Sequence, residues 1–211
     1  MKKNYILILD ILAMFSSTLV VILAFVWQLY FSELPCALCN LQRLAFLLFG
    51  AGMLVVILYP KHYRVGYCYA GISALVGIII SMVQVFVHIL PNSSSTGSAI
   101  LGIHMYAWSS LLYFVEILYV IIMQCVDTVS PKLGRIIHED HTMHRFAVQP
   151  KLIKAVIMLF FIVCIAAFIS ALFENGFNPF LAGGQQHYWI TEFITHHGPI
   201  TEQMLMGESQ K

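Results

Sequence analysis

Pro35-Cys36-Ala37-Leu38-Cys39-Asn40-Leu41-Gln42-Arg43 is the stretch whose reading decides the fold and the chemistry. It is a C-x-x-C followed four residues later by an arginine that lies deep in an otherwise apolar run. It falls where one long hydrophobic segment ends and the next begins. Two thiols at a membrane surface with a fixed cation just below them point to redox chemistry between a partner in water and a carrier dissolved in lipid.

The composition supplies the membrane. Of 211 residues, 60% are hydrophobic and 10% charged, against about 45–50% and about 25% in soluble domains. A soluble fold of this length could not hide so much apolar surface, so the chain reads as an integral membrane protein. A net charge of +1 argues against a nucleic-acid partner. Five cysteines in no repeating frame do not make a disulfide-stapled secreted scaffold.

Outward from the quoted stretch, the apolar runs predict five spans. The first covers Tyr5 to Phe31 after a basic start, Met1-Lys2-Lys3-Asn4. It exceeds the 7–15-residue apolar core typical of a signal peptide and no A-x-A-like site follows, so it is read as a retained span. The second covers about Cys36 to Tyr59, the third Val65 to Leu90, the fourth Ile100 to Val126 and the fifth Leu152 to Phe173. With the amino end inside, the inner segments hold Lys2, Lys3, Lys61, Arg64, Lys132, Arg135, Arg145, Lys151 and Lys154, nine of the eleven Lys and Arg. That asymmetry sets the orientation and puts the C-x-x-C at the outer face, where disulfides persist. Asp10 lies near the basic end and is expected at the headgroups.

Pro35 is expected at the start of the second helix, where its missing N–H costs nothing. Cys36 and Cys39 then share a face of the first turn, among unpaired N–H groups at the positive end of the helix dipole. That setting favours thiolate and makes a pair exchange-active. Arg43, one turn below Cys39, could stabilise a thiolate or bind a carbonyl oxygen of a quinone and the charge that develops on its reduction. The plainer readings are two inert packed cysteines, half of a metal site, and an arginine snorkelling to the headgroups.

Other residues carry weaker signals. His88 follows Gln84 by four residues and suits a polar lining for a quinone headgroup, with the imidazole able to carry a proton; its plain reading is a histidine satisfied by water. His104 is a lesser candidate on the same side. Glu116, mid-span, is either a proton carrier or a buried neutral acid, facing a polar cavity or the fifth span. Cys68, Cys125 and Cys164 read as small buried residues. His138, His141 and His144 read as a solvated face, and no metal site is expected. The tail, with Phe177, Phe180, Tyr188, Trp189, Phe193, His196 and His197, reads as an interfacial segment or a docking surface for a partner.

The motif Pro35, Cys36, Leu38, Cys39, Arg43 resembles the P-C-x-L-C-x-x-x-R signature of the DsbB family, quinone-linked thiol oxidases of the bacterial inner membrane. Gln84-Val85-Phe86-Val87-His88 and Leu101-Gly102-Ile103-His104-Met105-Tyr106-Ala107-Trp108 add to the likeness, which covers roughly residues 1 to 126. The resemblance implies an all-α, integral membrane four-helix bundle (residues 1–126). To it are added an inner loop (127–150), a fifth transmembrane helix (151–173) and a periplasmic C-terminal tail (174–211). It also implies that Cys36 exchanges with protein thiols and Cys39 faces the quinone. Arg43 and His88, with Gln84, would contact the quinone, ubiquinone or menaquinone. Electrons would pass from a DsbA-like periplasmic thiol oxidase to the membrane quinone pool, in support of disulfide bond formation. Two departures stand out: the loop Pro91 to Ser98 holds no cysteine, where the family has a second pair, and the fifth span and tail have no family counterpart. The rival readings are a non-catalytic membrane scaffold descended from such an oxidase, and a vitamin K epoxide reductase-like quinone enzyme. In the latter fold, however, the C-x-x-C lies late in the bundle.

Overall fold

The computed structural model describes residues 4–31, 36–89, 99–100, 102–129 and 151–175. Five long helices make up nearly all of this: α1 (Asn4–Phe31), α2 (Ala37–Leu58), α3 (Tyr63–Ile89), α4 (Met105–Val129) and α5 (Lys151–Asn175). Each is long and apolar enough to cross a membrane. At 1.5 Å per residue α2 spans about 33 Å and α1 about 42 Å, enough for a hydrocarbon layer of about 30 Å. The protein is an all-α, multi-pass integral membrane bundle.

The side chains are distributed as lipid requires. Large apolar residues such as Leu12, Leu23, Ile72, Leu111, Ile122, Phe161 and Phe168 are exposed on the outside. Asp10, Gln28, Gln42, Gln84, Glu116, Asp127 and Glu174 are buried inside. Polar groups at membrane depth find partners only within the protein, so they collect at helix contacts.

α2 is the most enclosed helix. It packs between α1 and α3; α4 lies on α3, and α5 lies on α1 and α2. Small residues allow the closest crossing: a Cβ on Gly52 would stand 2.8 Å from the Ala70 backbone nitrogen, so α2 and α3 meet almost backbone to backbone. A 3-10 turn at Pro60–His62 joins these two helices, with His62 N–H donating to the Tyr59 carbonyl at 2.8 Å.

Several expectations change. The fourth span starts at Met105, not Ile100, because Ala99–Ile100 pairs antiparallel with Ile103–His104 in a small hairpin. Gly102, at φ 79°, makes the left-handed turn residue that ends any helix there. Asp10 is not at the headgroups. It is buried and accepts from the Tyr67 hydroxyl at 2.7 Å and the Tyr119 hydroxyl at 2.6 Å, tying α1 to α3 and α4. Cys68 and Cys125 are exposed on the outer surface of the bundle rather than buried, and Cys164 is half-buried. The Ser32–Pro35 and Asn92–Ser98 loops, the histidines 138, 141 and 144, and the aromatic tail lie outside the described residues.

Candidate thiol-redox site

Helix α2 begins at Ala37, and Cys36 is its N-cap, with φ −71° and ψ 162°. Pro35, expected at this helix start, lies outside the described residues. The Cys36 sulfur takes the place of a serine oxygen: it accepts from the Cys39 backbone N–H at 3.2 Å, the bond from N-cap side chain to third helical residue that closes many helix starts. The C-x-x-C spacing and the capping geometry are thus one feature. An N–H that would otherwise be unsatisfied, and the helix dipole, both face sulfur.

A second donor arrives from α3. Gln84, 1% exposed, directs its amide nitrogen at both sulfurs, 3.3 Å from Cys36 and 3.4 Å from Cys39. Its orientation is fixed by Gln42, whose amide nitrogen donates to the Gln84 side-chain oxygen at 2.8 Å. With that oxygen engaged, the NH₂ end must face the sulfurs. Gln42 is anchored in turn by its helix. Its backbone carbonyl accepts from the Tyr113 hydroxyl at 2.5 Å, and the Tyr113 ring stacks on Phe46 at 4.0 Å. Because the two thiols share a hydrogen bond, removing both protons would set two negative charges side by side. That bond to Cys39, and then burial, push the Cys36 thiol well above its ordinary range, so the reduced pair gives up one proton far more readily than a second.

His88 lies one turn beyond Gln84. Its Nδ1 is 2.8 Å from the Gln84 backbone oxygen, and its ring stacks on Tyr106 at 5.1 Å between centroids. Tyr106 stacks on His104 at 5.3 Å, so three flat rings stand in a row where α3 ends and α4 begins.

Arg43 turns the other way. Its guanidinium donates to the Gln28 side-chain oxygen at 2.7 Å and to the Ala24 carbonyl at 3.3 Å, both on α1, and lies over the Phe25 ring at 4.9 Å. Gln28 passes the contact on: its amide nitrogen donates to Glu174 of α5 at 2.7 Å. Asn40, the neighbour of Cys39, donates to the other Glu174 oxygen at 2.7 Å.

The predicted residues thus divide between two sides of α2. Cys36, Cys39 and Gln84 meet on the α3 side, with His88 beside them, and Arg43 reaches α1. Glu116 is buried on α4 with its Oε2 unbonded among the described residues. It lies between Tyr113 and Val120, which pack over Gly77 and Gly71 of α3, so it faces α3 and not the fifth span. Gln42, Tyr113, Tyr106, Gln28, Asn40 and Glu174 were not singled out from the sequence. Uncharged amides inside apolar spans were the available signal for Gln28 and Gln42, since such groups must find partners across helices.

The fold and the cysteine geometry define a multi-pass membrane protein with a pair of thiols at a helix start. Residues 8–99, which hold that pair with Arg43, Gln84 and His88, match the family described as disulfide bond formation protein DsbB. In this segment the chain is similar to the DsbB family of disulfide bond formation proteins. No curated protein and no solved structure matched.

Proposed function

We propose that the protein is a thiol:quinone oxidoreductase. In this reading the Cys36–Cys39 disulfide oxidises a DsbA-like periplasmic dithiol protein and hands the electrons to the membrane quinone pool. The observation that carries it is the Gln84 amide placed against both sulfurs of a helix-capping C-x-x-C. A partner thiolate attacks Cys36, forming a mixed disulfide and releasing Cys39 as thiolate. The partner's second thiol then displaces Cys36, leaving the partner oxidised and the pair reduced. In both steps negative charge appears on sulfur, where the Gln84 N–H groups and the first-turn N–H of Cys39 receive it.

A quinone headgroup needs flat surfaces and groups that can bond its oxygens. The His88–Tyr106–His104 stack provides the surfaces, and His104 Nδ1, buried without a hydrogen-bond partner among the described residues, is an unspent polar atom in the same row. His88 and Gln84 are the residues we assign to holding it; Arg43, expected to join them, is bonded instead to Gln28 and Ala24 of α1. Ubiquinone or menaquinone bound there would supply a two-electron, two-proton acceptor.

The chain has no cysteine between Cys68 and Cys125. A partner must therefore reach Cys36 directly instead of through a second pair. The working orientation is amino end cytoplasmic and carboxyl end periplasmic in a bacterial inner membrane, supported by the nine inner Lys and Arg. That same missing pair favours the second reading, a non-catalytic scaffold. Purified protein with a ubiquinone or menaquinone analogue and a reduced DsbA-like protein separates the two. Quinone reduction lost in Cys36→Ala supports the oxidase, and no reduction with either quinone by the unaltered protein refutes it.

A further inference from the structure

The fifth helix lies outside the segment that matches the family, yet it ends at the redox turn. Glu174 is 1% exposed. Its two oxygens accept from three donors on three helices: Gln28 of α1 and Ser170 of α5 at one oxygen, Asn40 of α2 at the other, each at 2.7 Å. Two amides and a hydroxyl on its two oxygens give Glu174 the donor set that suits a carboxylate. Asn40 belongs to the turn that carries the pair: its backbone N–H donates to the Cys36 carbonyl at 3.1 Å. Gln28 uses its other end to accept from Arg43. The redox turn is thus gripped from opposite sides, by Gln84 at the sulfurs and by Glu174 at Asn40. The same carboxylate stands one amide away from the Arg43 guanidinium.

We propose that Glu174 is a positioning residue of the redox centre. By this account α5 supplies a negative charge that offsets Arg43 and sets the reduction potential of the Cys36–Cys39 pair. The proposal deepens the thiol-oxidase reading and rests on it. The physical argument is one of sign. Reduction places negative charge on sulfur; Arg43 favours that charge and Glu174 opposes it, both by its own field and by neutralising Arg43. With Glu174 present the disulfide form is favoured. Without its charge that opposition is removed, and the reduced form gains.

Glu174→Gln isolates the charge. The amide that replaces the carboxylate can accept from Gln28 and, once the Asn40 amide turns over, donate to it, so the bonds survive and only the charge leaves. Asn40→Asp in that background returns a carboxylate to the node, accepting from the newly introduced amide. Ile157→Ala, a buried packing residue of α5, loosens the helix without touching charge. The measurement is the equilibrium of full-length protein in glutathione buffers, in which the disulfide and two glutathiones give the dithiol and one glutathione disulfide, read by thiol trapping. Glu174→Gln is expected to shift the equilibrium toward the dithiol about tenfold, a rise of about 30 mV in potential. The double variant is expected to return at least halfway, and Ile157→Ala to stay within about threefold of the unaltered protein. A Glu174→Gln value within about twofold of the unaltered protein would overturn the proposal. So would a double variant that does not return, or an equal shift in Ile157→Ala. If the unaltered pair does not equilibrate with glutathione at all, the thiol-redox reading itself fails, which is a different result.

Discussion

Replacing Gln84 by leucine removes the donor at both sulfurs while keeping the side chain's bulk. The two bonds are long, 3.3 and 3.4 Å, as sulfur acceptors require, and hydrogen bonds to a charged group contribute about 1.5–3 kcal/mol. Taking the lower end, the anionic reduced pair loses about 1.5 kcal/mol, roughly tenfold in the equilibrium and about 30 mV in potential. The sign is opposite to that for Glu174→Gln: Gln84→Leu disfavours the reduced form and lowers the potential. The reduced pair should also react more slowly with iodoacetamide at neutral pH, by about the same factor, because thiolate is the reactive form. A separate cost falls on the fold, since Gln42 Nε2 loses its acceptor in a buried place, at about 1–3 kcal/mol. The assay is redox titration in glutathione buffers together with a thermal melt in detergent. A folded Gln84→Leu variant with an unchanged potential would refute the claim that this amide sets the chemistry of the pair.

Two further substitutions probe the frame around the site. Asp10→Ala leaves the buried Tyr67 hydroxyl without its acceptor and should cost about 1–3 kcal/mol of stability; Tyr67→Phe in the same background should recover part of that, read by denaturant or thermal unfolding of the purified protein. Gly77→Ala places a Cβ inside the Tyr113 ring, with Tyr113 Cδ1 at 2.8 Å. It should cost about 1–3 kcal/mol through overpacking, more than Tyr113→Phe, which gives up only the hydroxyl bond to the Gln42 carbonyl.

Much of this was legible in the chain. Five apolar runs were enough for the spans, because length and hydropathy are what a bilayer constrains. Cys36 and Cys39 at a helix start followed from spacing alone, and the cap geometry explains why that spacing works. Directions across helices were not legible. Arg43 sits one turn below Cys39 as its spacing demands, but whether it reaches toward sulfur or toward α1 depends on Gln28 and Phe25, residues of another helix. Asp10 looked like a headgroup residue because nothing local announces Tyr67 and Tyr119, which lie 57 and 109 positions away. Glu174 could not be read as a neighbour of the cysteines, since its partners Gln28 and Asn40 are 146 and 134 positions distant. The early end of the fourth span was hidden by apolar residues, Ile100 and Ile103, that pair in a hairpin instead of continuing a helix.

The claim at the centre is that the Pro35–Arg43 stretch holds both redox cysteines of this chain and meets its protein partner at Cys36. A Cys39→Ser variant tests it most directly, because without Cys39 a mixed disulfide at Cys36 cannot be resolved from within the pair. Mixed with a DsbA-like protein that keeps only its attacking cysteine, activated as a mixed disulfide with thionitrobenzoate, and mapped by mass spectrometry, it is expected to yield one covalent adduct as the Cys36 thiolate displaces thionitrobenzoate. No adduct, or one joined through Cys68, Cys125 or Cys164, would contradict it.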